Sequence, residues 1–413
     1  MALNFIWIGF FVIAFLVALY KTFVGGDPAI FSEIVKTLFE RAELGFKLSL
    51  FLTGVLAFWM GVMRIGEESG MVNALAKIVE PLFSKLFPGV PKKHPANGAM
   101  VMNISANMLG LDNAATPLGL KAMKELQELN PQKDTASDAQ IMFLVLNTSG
   151  LTLIPVSILA LRTAAGSQNP TDVFVPILLA TFFSTLVGLI STSIIQRINL
   201  FNKVILGYLA GSIVLLGLLI AYMNRLNPDE LQKFTDILSN ALLFGIIVLF
   251  IGMGAFKKIN VYDAFIEGAK DGFKVAVTII PYLVAMLTAI GVFTASGAMD
   301  FVLDFFRFAF GHLGVDTRFV DGLPTAFLKP LTGGGARAAM VESWEQHGVD
   351  SFVGHLTSVL QGSTETTFYV LAVYFGSVGI KNMRYAVWAG LIADLAGIIA
   401  AIIISYFFFG HLN

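Results

Sequence analysis

Apolar residues gather into nine stretches, at 4–24, 45–66, 138–164, 172–196, 203–223, 239–256, 273–293, 351–377 and 383–409. Each approaches the roughly 20 residues that cross a bilayer as a helix, so the pattern predicts nine membrane spans. Between them lie short amphipathic stretches, IFSEIVKTLF (30–39), GMVNALAKIVEPLFSKLF (70–87) and GAMDFVLDFFRFAFGHL (297–313). Their one-sided apolar faces predict interfacial helices. Polar links such as 127–138 and 223–234 belong in water. Two segments fit neither class. Residues 95–126 and 319–347 are apolar in pieces but are interrupted by Gly, Pro and polar residues. In each, a short apolar helix goes in, a turn follows (GLDNAATP at 110–117, TGGG at 332–335), and a second helix comes out. These are expected to be re-entrant hairpins, since irregular backbone at membrane depth survives only against protein or a water cavity.

The pattern repeats. GFKLSL at Gly45 matches GFKVAV at Gly272, and ESGMVNALAKIVEPLFSKLF at Glu68 matches ASGAMDFVLDFFRFAFGHL at Ala295. NMLGLDNAATPLGLKAM (107–123) then faces PLTGGGARAAMVESW (330–344), and LVLNTSGLT (144–152) faces SVLQGSTET (358–366). Four pairs in the same order imply duplication. The reading is a first unit at 1–200, a linking helix within 201–238, and a second unit at 239–413. Four spans return the chain to its starting side and the linking span inverts the second unit, which predicts an inverted repeat whose hairpin tips meet near the midplane.

Composition narrows the class. The chain is 56% hydrophobic and 13% charged, with 37 Phe among 413 residues. That is an all-α polytopic membrane protein, not a soluble enzyme. A net charge of −1 gives no reason to expect nucleic acid. The absence of cysteine excludes disulfides, thiolate metal sites and cysteine nucleophiles. The first apolar segment lacks a basic leader and reads as a retained helix rather than a signal peptide. With the N-terminus inside, roughly 16 Lys and Arg fall on the cytoplasmic side and about 11 outside.

The candidate chemistry lies where polar groups enter the apolar pattern. TGGGAR (332–337) lacks the Gly-Lys-Ser/Thr ending of a phosphate loop. Thr332, Gly333, Gly334 and Arg337 instead offer bare amides and a cation at a helix N-terminus, suited to an anion or a polar carbonyl. The alternative is that the glycines only permit close packing and that Arg337 pairs with Glu342. Asn147, Thr148, Ser149 and Thr152 interrupt one span, with Pro155 just after; Gln361, Ser363, Thr364, Glu365 and Thr366 interrupt another. Glu365 is the leading candidate, because a mid-span carboxylate is costly and by default functional; pairing with Arg337 or Lys329 is the structural alternative. Asp112, beside Asn113, either meets a solute or caps a helix. Asn103 and Asn107, four apart, line a cavity or zip two helices together. Asp394 is a further intramembrane acid. Glu342, Glu345 and His347 read as a solvated helix end. The five histidines show no metal spacing, and no nucleophile–base pair is evident.

NMLGLDNAATPLGLKAMKELQ (107–127) resembles the signature stretch of the spore maturation A proteins, and PTAFLKPLTGGGARAAMVE (324–342) that of the spore maturation B proteins. The resemblance covers nearly the whole chain, as a fusion of the two, and both groups fall in the nucleoside-recognition, or gate-domain, family. That family is similar to the concentrative nucleoside transporters and to the membrane part of ferrous iron transporter B. The resemblance implies an interfacial helix, a re-entrant hairpin and a broken helix in each inverted half, and a secondary transporter of a small polar solute driven by H⁺ or Na⁺. Carried over by position, one side of the solute meets the 107–116 tip with Asn147, Thr148 and Ser149. The other meets the 332–337 tip with Gln361, Ser363, Thr364 and Glu365. The sequence departs from those transporters: Asp112–Asn113 replaces a Gln/Glu pair and the second tip carries an arginine, which suits a carboxylate- or phosphate-bearing solute. No metal or organic cofactor is expected beyond a coupling Na⁺ or H⁺. The expected partners are the solute, membrane lipid and further copies of the chain as a dimer or trimer, and the expected location is the bacterial cytoplasmic membrane. The alternative function is a non-transporting scaffold or sensor for envelope or spore maturation.

Overall fold

A computed structural model describes residues 2–110 and 112–412, except the side chains of 2, 3, 112–114, 228 and 229. Among the described residues the chain is all-helical, with one isolated bridge joining Thr135 and Asn382. The first half runs α1 (Ala2–Phe23), α2 (Ile30–Glu68), α3 (Met71–Leu86), α4 (Pro95–Met108), α5 (Asp112–Leu129), α6 (Asp138–Ser149), α7 (Val156–Ala164) and α8 (Phe174–Ile195). After α9 (Lys203–Met223) come α10 (Pro228–Phe256), α11 (Val261–Ala295), α12 (Ala298–Gly311), a 3₁₀ turn (Arg318–Gly322), α13 (Leu323–Leu328), α14 (Gly333–His347), α15 (Phe352–Gly362), α16 (Thr367–Ser377) and α17 (Ala386–Phe409).

Among the described residues, seven helices are long and apolar enough to cross a membrane: α1, α2, α8, α9, α10, α11 and α17. The chain is therefore a multi-pass membrane protein. The other two of the nine expected spans are broken where polar residues interrupt them. Residues 138–164 and 351–377 each form two short helices with a break between them. In the first, Gly150 takes a left-handed φ of 42° and Pro155 precedes α7; a β-carbon would strain the one, and the other brings no amide hydrogen. In the second, the polar run from Ser363 to Thr366 interrupts the helix. The stretch 30–39 is corrected: it is the first part of the 39-residue α2, not a separate interfacial helix.

Two antiparallel pairs form the middle of the bundle. Along α2 and α11 a β-carbon added to Gly268 would lie 2.3 Å from the Met60 carbonyl oxygen, and one at Gly272 2.6 Å from that of Leu56. Where lipid removes the hydrophobic drive between helices, such small residues let backbones approach and gain dispersion contacts. Ser184 on α8 donates to the Ala393 carbonyl on α17 at 2.9 Å, and Gly188 and Gly397 allow the same closeness there. Amphipathic α3 and α12 each start at a left-handed glycine, Gly70 (φ 82°) and Gly297 (φ 83°). Helix α3 buries Val72, Val79, Phe83 and Leu86, a single helical face.

Candidate functional site

Two turns and two breaks converge. Helix α4 ends at Met108 and the chain turns through Leu109 and Gly110, the latter at φ 72°. Helix α13 ends at Leu328, and Lys329–Leu331 turn the chain into α14. The TGGG run is therefore not the turn, as the sequence suggested. Gly333 to Gly335 are the first turn of α14, and the Thr332 hydroxyl caps them by accepting from the Gly335 amide at 3.2 Å. Each turn is bonded to the break that follows it. The Leu153 amide donates to the Met108 carbonyl at 2.7 Å, and the Phe368 amide donates to that of Pro330 at 3.0 Å. The breaks also bond to each other, Glu365 N–H to the Thr148 carbonyl at 2.8 Å. Glycine makes these approaches fit: a β-carbon at Gly110, Gly333 or Gly150 would stand 2.9 Å from the Ile154 oxygen, Thr366 Oγ1 or Glu365 Cγ respectively.

Between these pieces lies a cavity of about 220 Å³. Of the expected residues, Asn107, Gly333, Arg337, Gln361, Thr364 and Glu365 line it. Glu365 is exposed to it while its neighbours Thr364 and Thr366 are buried. The others serve the scaffold. Asn147 accepts from Asn107 Nδ2 at 2.7 Å and donates to the Phe143 carbonyl at 2.8 Å. The hydroxyls of Thr148, Ser149 and Ser363 turn back onto carbonyls of their own helices, Val145, Leu146 and Leu360. Thr332 acts as the cap, and Gly334 sits in the first turn of α14. Leu111 and the side chains of Asp112 and Asn113 lie outside the described residues. Lys329, Thr152 and Thr366 also line the cavity but were not among the expected site residues; Lys329, a cation between two apolar pieces, was the available signal. Lys329 and Arg337 bring two positive charges to the cavity that Glu365 lines. The first amides of α14 have no intrahelical partner and carry the positive end of the helix dipole. The cavity wall can thus hold an anion or a polar oxygen at one place and accept hydrogen bonds at Glu365, Gln361 and Asn107.

The structural alternatives resolve differently. Glu342 is buried and bonded to Arg41 on α2, at 2.6 Å from Nε and 2.9 Å from Nη2, so it is not part of a solvated end; Glu345 and His347 are exposed. Asn103 bonds the Ala115 carbonyl at 2.7 Å and Tyr374 at 3.3 Å, which zips α4 to α5 and α16. A cluster not anticipated from the sequence lies at the outer ends of the broken helices. Arg162 of α7, fully buried, donates to Asp172 and Asp350 at 3.1 Å each, to Ser167 at 3.1 Å and to the Val349 carbonyl at 3.0 Å. His355 faces Asp172 at 2.7 Å.

A family model described as "Nucleoside recognition" (Gate) matches residues 50–164 and 276–381. Spore maturation protein B of Bacillus subtilis (strain 168) is 47% identical over 188 residues, covering 46% of this chain and 99% of that protein. Spore maturation protein A of the same organism is 40% identical over 181 residues, 44% of this chain and 89% of that protein. No solved structure matches this chain. Every polar residue that lines the cavity falls inside the two matched segments, and together those segments take in more than half of the sequence: the chain belongs to the nucleoside-recognition, or Gate, family.

Proposed function

We propose that the protein is a secondary transporter of a small polar or anionic solute, nucleoside-like or bearing a carboxylate or phosphate, working by alternating access with H⁺ or Na⁺ coupling in the bacterial cytoplasmic membrane. One observation carries the reading: a cavity between two turns and two broken helices, lined by Lys329, Arg337 and Glu365 beside the N-terminus of α14. Such discontinuous helices are where transporters hold polar substrates and coupling ions. In this reading the protein is not an enzyme, its partners are solute and lipid, and copies of the chain assemble.

The repeat supports it. Gly70 and Gly297 stand 227 residues apart and both open an amphipathic helix. The order of elements from α1 to α8 recurs from α10 to α17, and the bonds Leu153–Met108 and Phe368–Pro330 tie turn to break alike in both halves. The corresponding helices α2 and α11 run antiparallel, as do α8 and α17, as an inverted repeat requires. Helix α4, at 14 residues, is roughly 21 Å long, short of the ~30 Å hydrocarbon core, and α13 is shorter still. Both fit re-entrant hairpins. A second reading, a non-transporting scaffold or sensor for envelope or spore maturation, is favoured by the names of the two relatives.

One experiment separates the two. The purified protein is melted in detergent with nucleosides, nucleotides, dicarboxylates and amino acids, with and without Na⁺, at two pH values. A bound solute at a hundred times its Kd adds about 2.7 kcal/mol, a rise of roughly 3 °C for a chain of this length. The rise is expected to vanish in Glu365→Gln and in Arg337→Ala, with both variants still folded. No shift from any compound in a well-behaved preparation sinks the transport reading in favour of the scaffold.

A further inference from the structure

Asp394 lies in the middle of α17 and is 1% exposed. Both of its carboxylate oxygens lack a hydrogen-bond partner. Two other buried oxygens beside it share that condition: Thr364 Oγ1 in the second break and Thr367 Oγ1 at the start of α16. The packing shows how they converge. Gly390, Asp394 and Gly397 fall on one face of α17, at spacings of four and three. A β-carbon at Gly397 would stand 2.6 Å from Thr364 Cγ2, and one at Gly390 would stand 2.7 Å from Thr367 Cγ2. The two threonines therefore press on α17 to either side of the carboxylate, close enough to interact with it but outside hydrogen-bonding geometry.

A buried, unsatisfied polar atom is costly, and a buried carboxylate more so unless it is paired or coordinates a metal. Here four such oxygens crowd one place, at the junction of a broken helix with an unbroken one. An all-oxygen set of carboxylate and hydroxyls suits a hard cation and gives a soft metal nothing to bind. Local charge sets the valence. The set of one carboxylate and two hydroxyls carries a single negative charge, which a monovalent ion cancels and a divalent one overshoots.

We infer that Asp394, Thr364 and Thr367 form a binding site for a monovalent cation, sodium, which fastens α17 to the break between α15 and α16. Thr364, Glu365 and Lys329 also line the solute cavity, so the ion sits against the wall that the solute would touch from the other side. Resting on the transport reading, the site has a further consequence. A cation on Asp394 neutralises that carboxylate, which then no longer repels an anion in the cavity beside it, raising affinity for an anionic solute.

The test is binding, and needs no solute. The purified chain is melted at constant ionic strength while Na⁺ replaces choline, with K⁺ as a second comparison. For a chain of 413 residues, a site specific to the folded state raises the Tm by about 1.5 °C per tenfold rise in Na⁺ above the Kd. Choline and K⁺ should give no such rise, Asp394→Asn should abolish it, and Thr364→Val and Thr367→Val should each move it to at least tenfold higher Na⁺. If Asp394→Asn does not fold, the two valine variants decide. A wild-type Tm indifferent to Na⁺, a full sodium response in the variants, or a response to pH without one to Na⁺ overturns the assignment; the last gives Asp394 a proton instead. Solute shifts that persist without a sodium response would leave the transport reading standing without this site, and a sodium response without any solute shift would do the reverse.

Discussion

Replacing Arg162 with methionine tests whether the broken helices are held at their outer ends. The guanidinium is fully buried and makes hydrogen bonds to Ser167, Asp172, Asp350, Ser358 and the Val349 carbonyl. It joins three pieces of chain: the end of α7, the 166–173 connection and the start of α15. Methionine keeps most of the stem and removes the charge, leaving Asp172, 7% exposed, with His355 alone. Deleting one partner of a buried ion pair costs about 3–5 kcal/mol, chiefly because the other charge is stranded. At about 2.1 cal/mol/K per residue, 413 residues give an unfolding entropy near 0.9 kcal/mol/K, so the Tm should fall by about 3–6 °C. Differential scanning fluorimetry in detergent reads this directly. A cycle with Asp172→Asn isolates the pair: the double variant should be more stable than the sum of the single losses predicts. An Arg162→Met protein melting within a degree of wild type, or strictly additive losses, would refute the clamp.

Two further outcomes follow from packing and charge. Gly268→Val drives a side chain into the Met60 carbonyl of α2 and should cost about 3 kcal/mol, seen as loss of a monodisperse peak on size exclusion; Gly245→Val, with nothing within 4 Å, should elute as wild type. Burial pushes the Asp350 carboxyl up, but the Gln168 amide, Ser167, Arg162 and His355 outweigh it and hold the group below its usual value. A depressed folded value means stability present above about pH 4 and lost as pH falls through the folded value. Wild type should therefore lose more Tm between pH 5 and pH 3 than Asp350→Asn does.

The fold was legible in the sequence where hydropathy and helix period agree, as in α8, α9 and α17. It was misread where they diverge. Residues 30–44 carry Glu40, Arg41 and Glu43, which ended the apolar stretch and so the expected span. The helix does not end there, because backbone hydrogen bonds close within it whether its side chains meet lipid, water or Glu342 of α14. Residues 138–164 are apolar enough to span, and hydropathy alone is blind to continuity; the polar run from Asn147 to Thr152 with Pro155 was the signal for the break between α6 and α7.

The site divides along a similar line. Residue types placed Glu365, Arg337, Asn107 and Gln361 at the cavity, because a polar group within an apolar run must face something other than lipid. What sequence could not supply was the partner. Arg337 and Glu342 are near along the chain, but five residues on a helix point side chains about 140° apart; Glu342 instead reaches back to Arg41 of α2. Nothing in the sequence sets Arg162 apart. It is buried because residues 348–351 of the second half close over it. The contacts that make the cavity, Thr148 to Glu365 among them, likewise join one half of the chain to the other. A rearrangement of one half against the other must therefore alter the cavity and the Arg162 cluster together. On the transport reading, that coupling between the centre of the bundle and its rim is what alternating access would use.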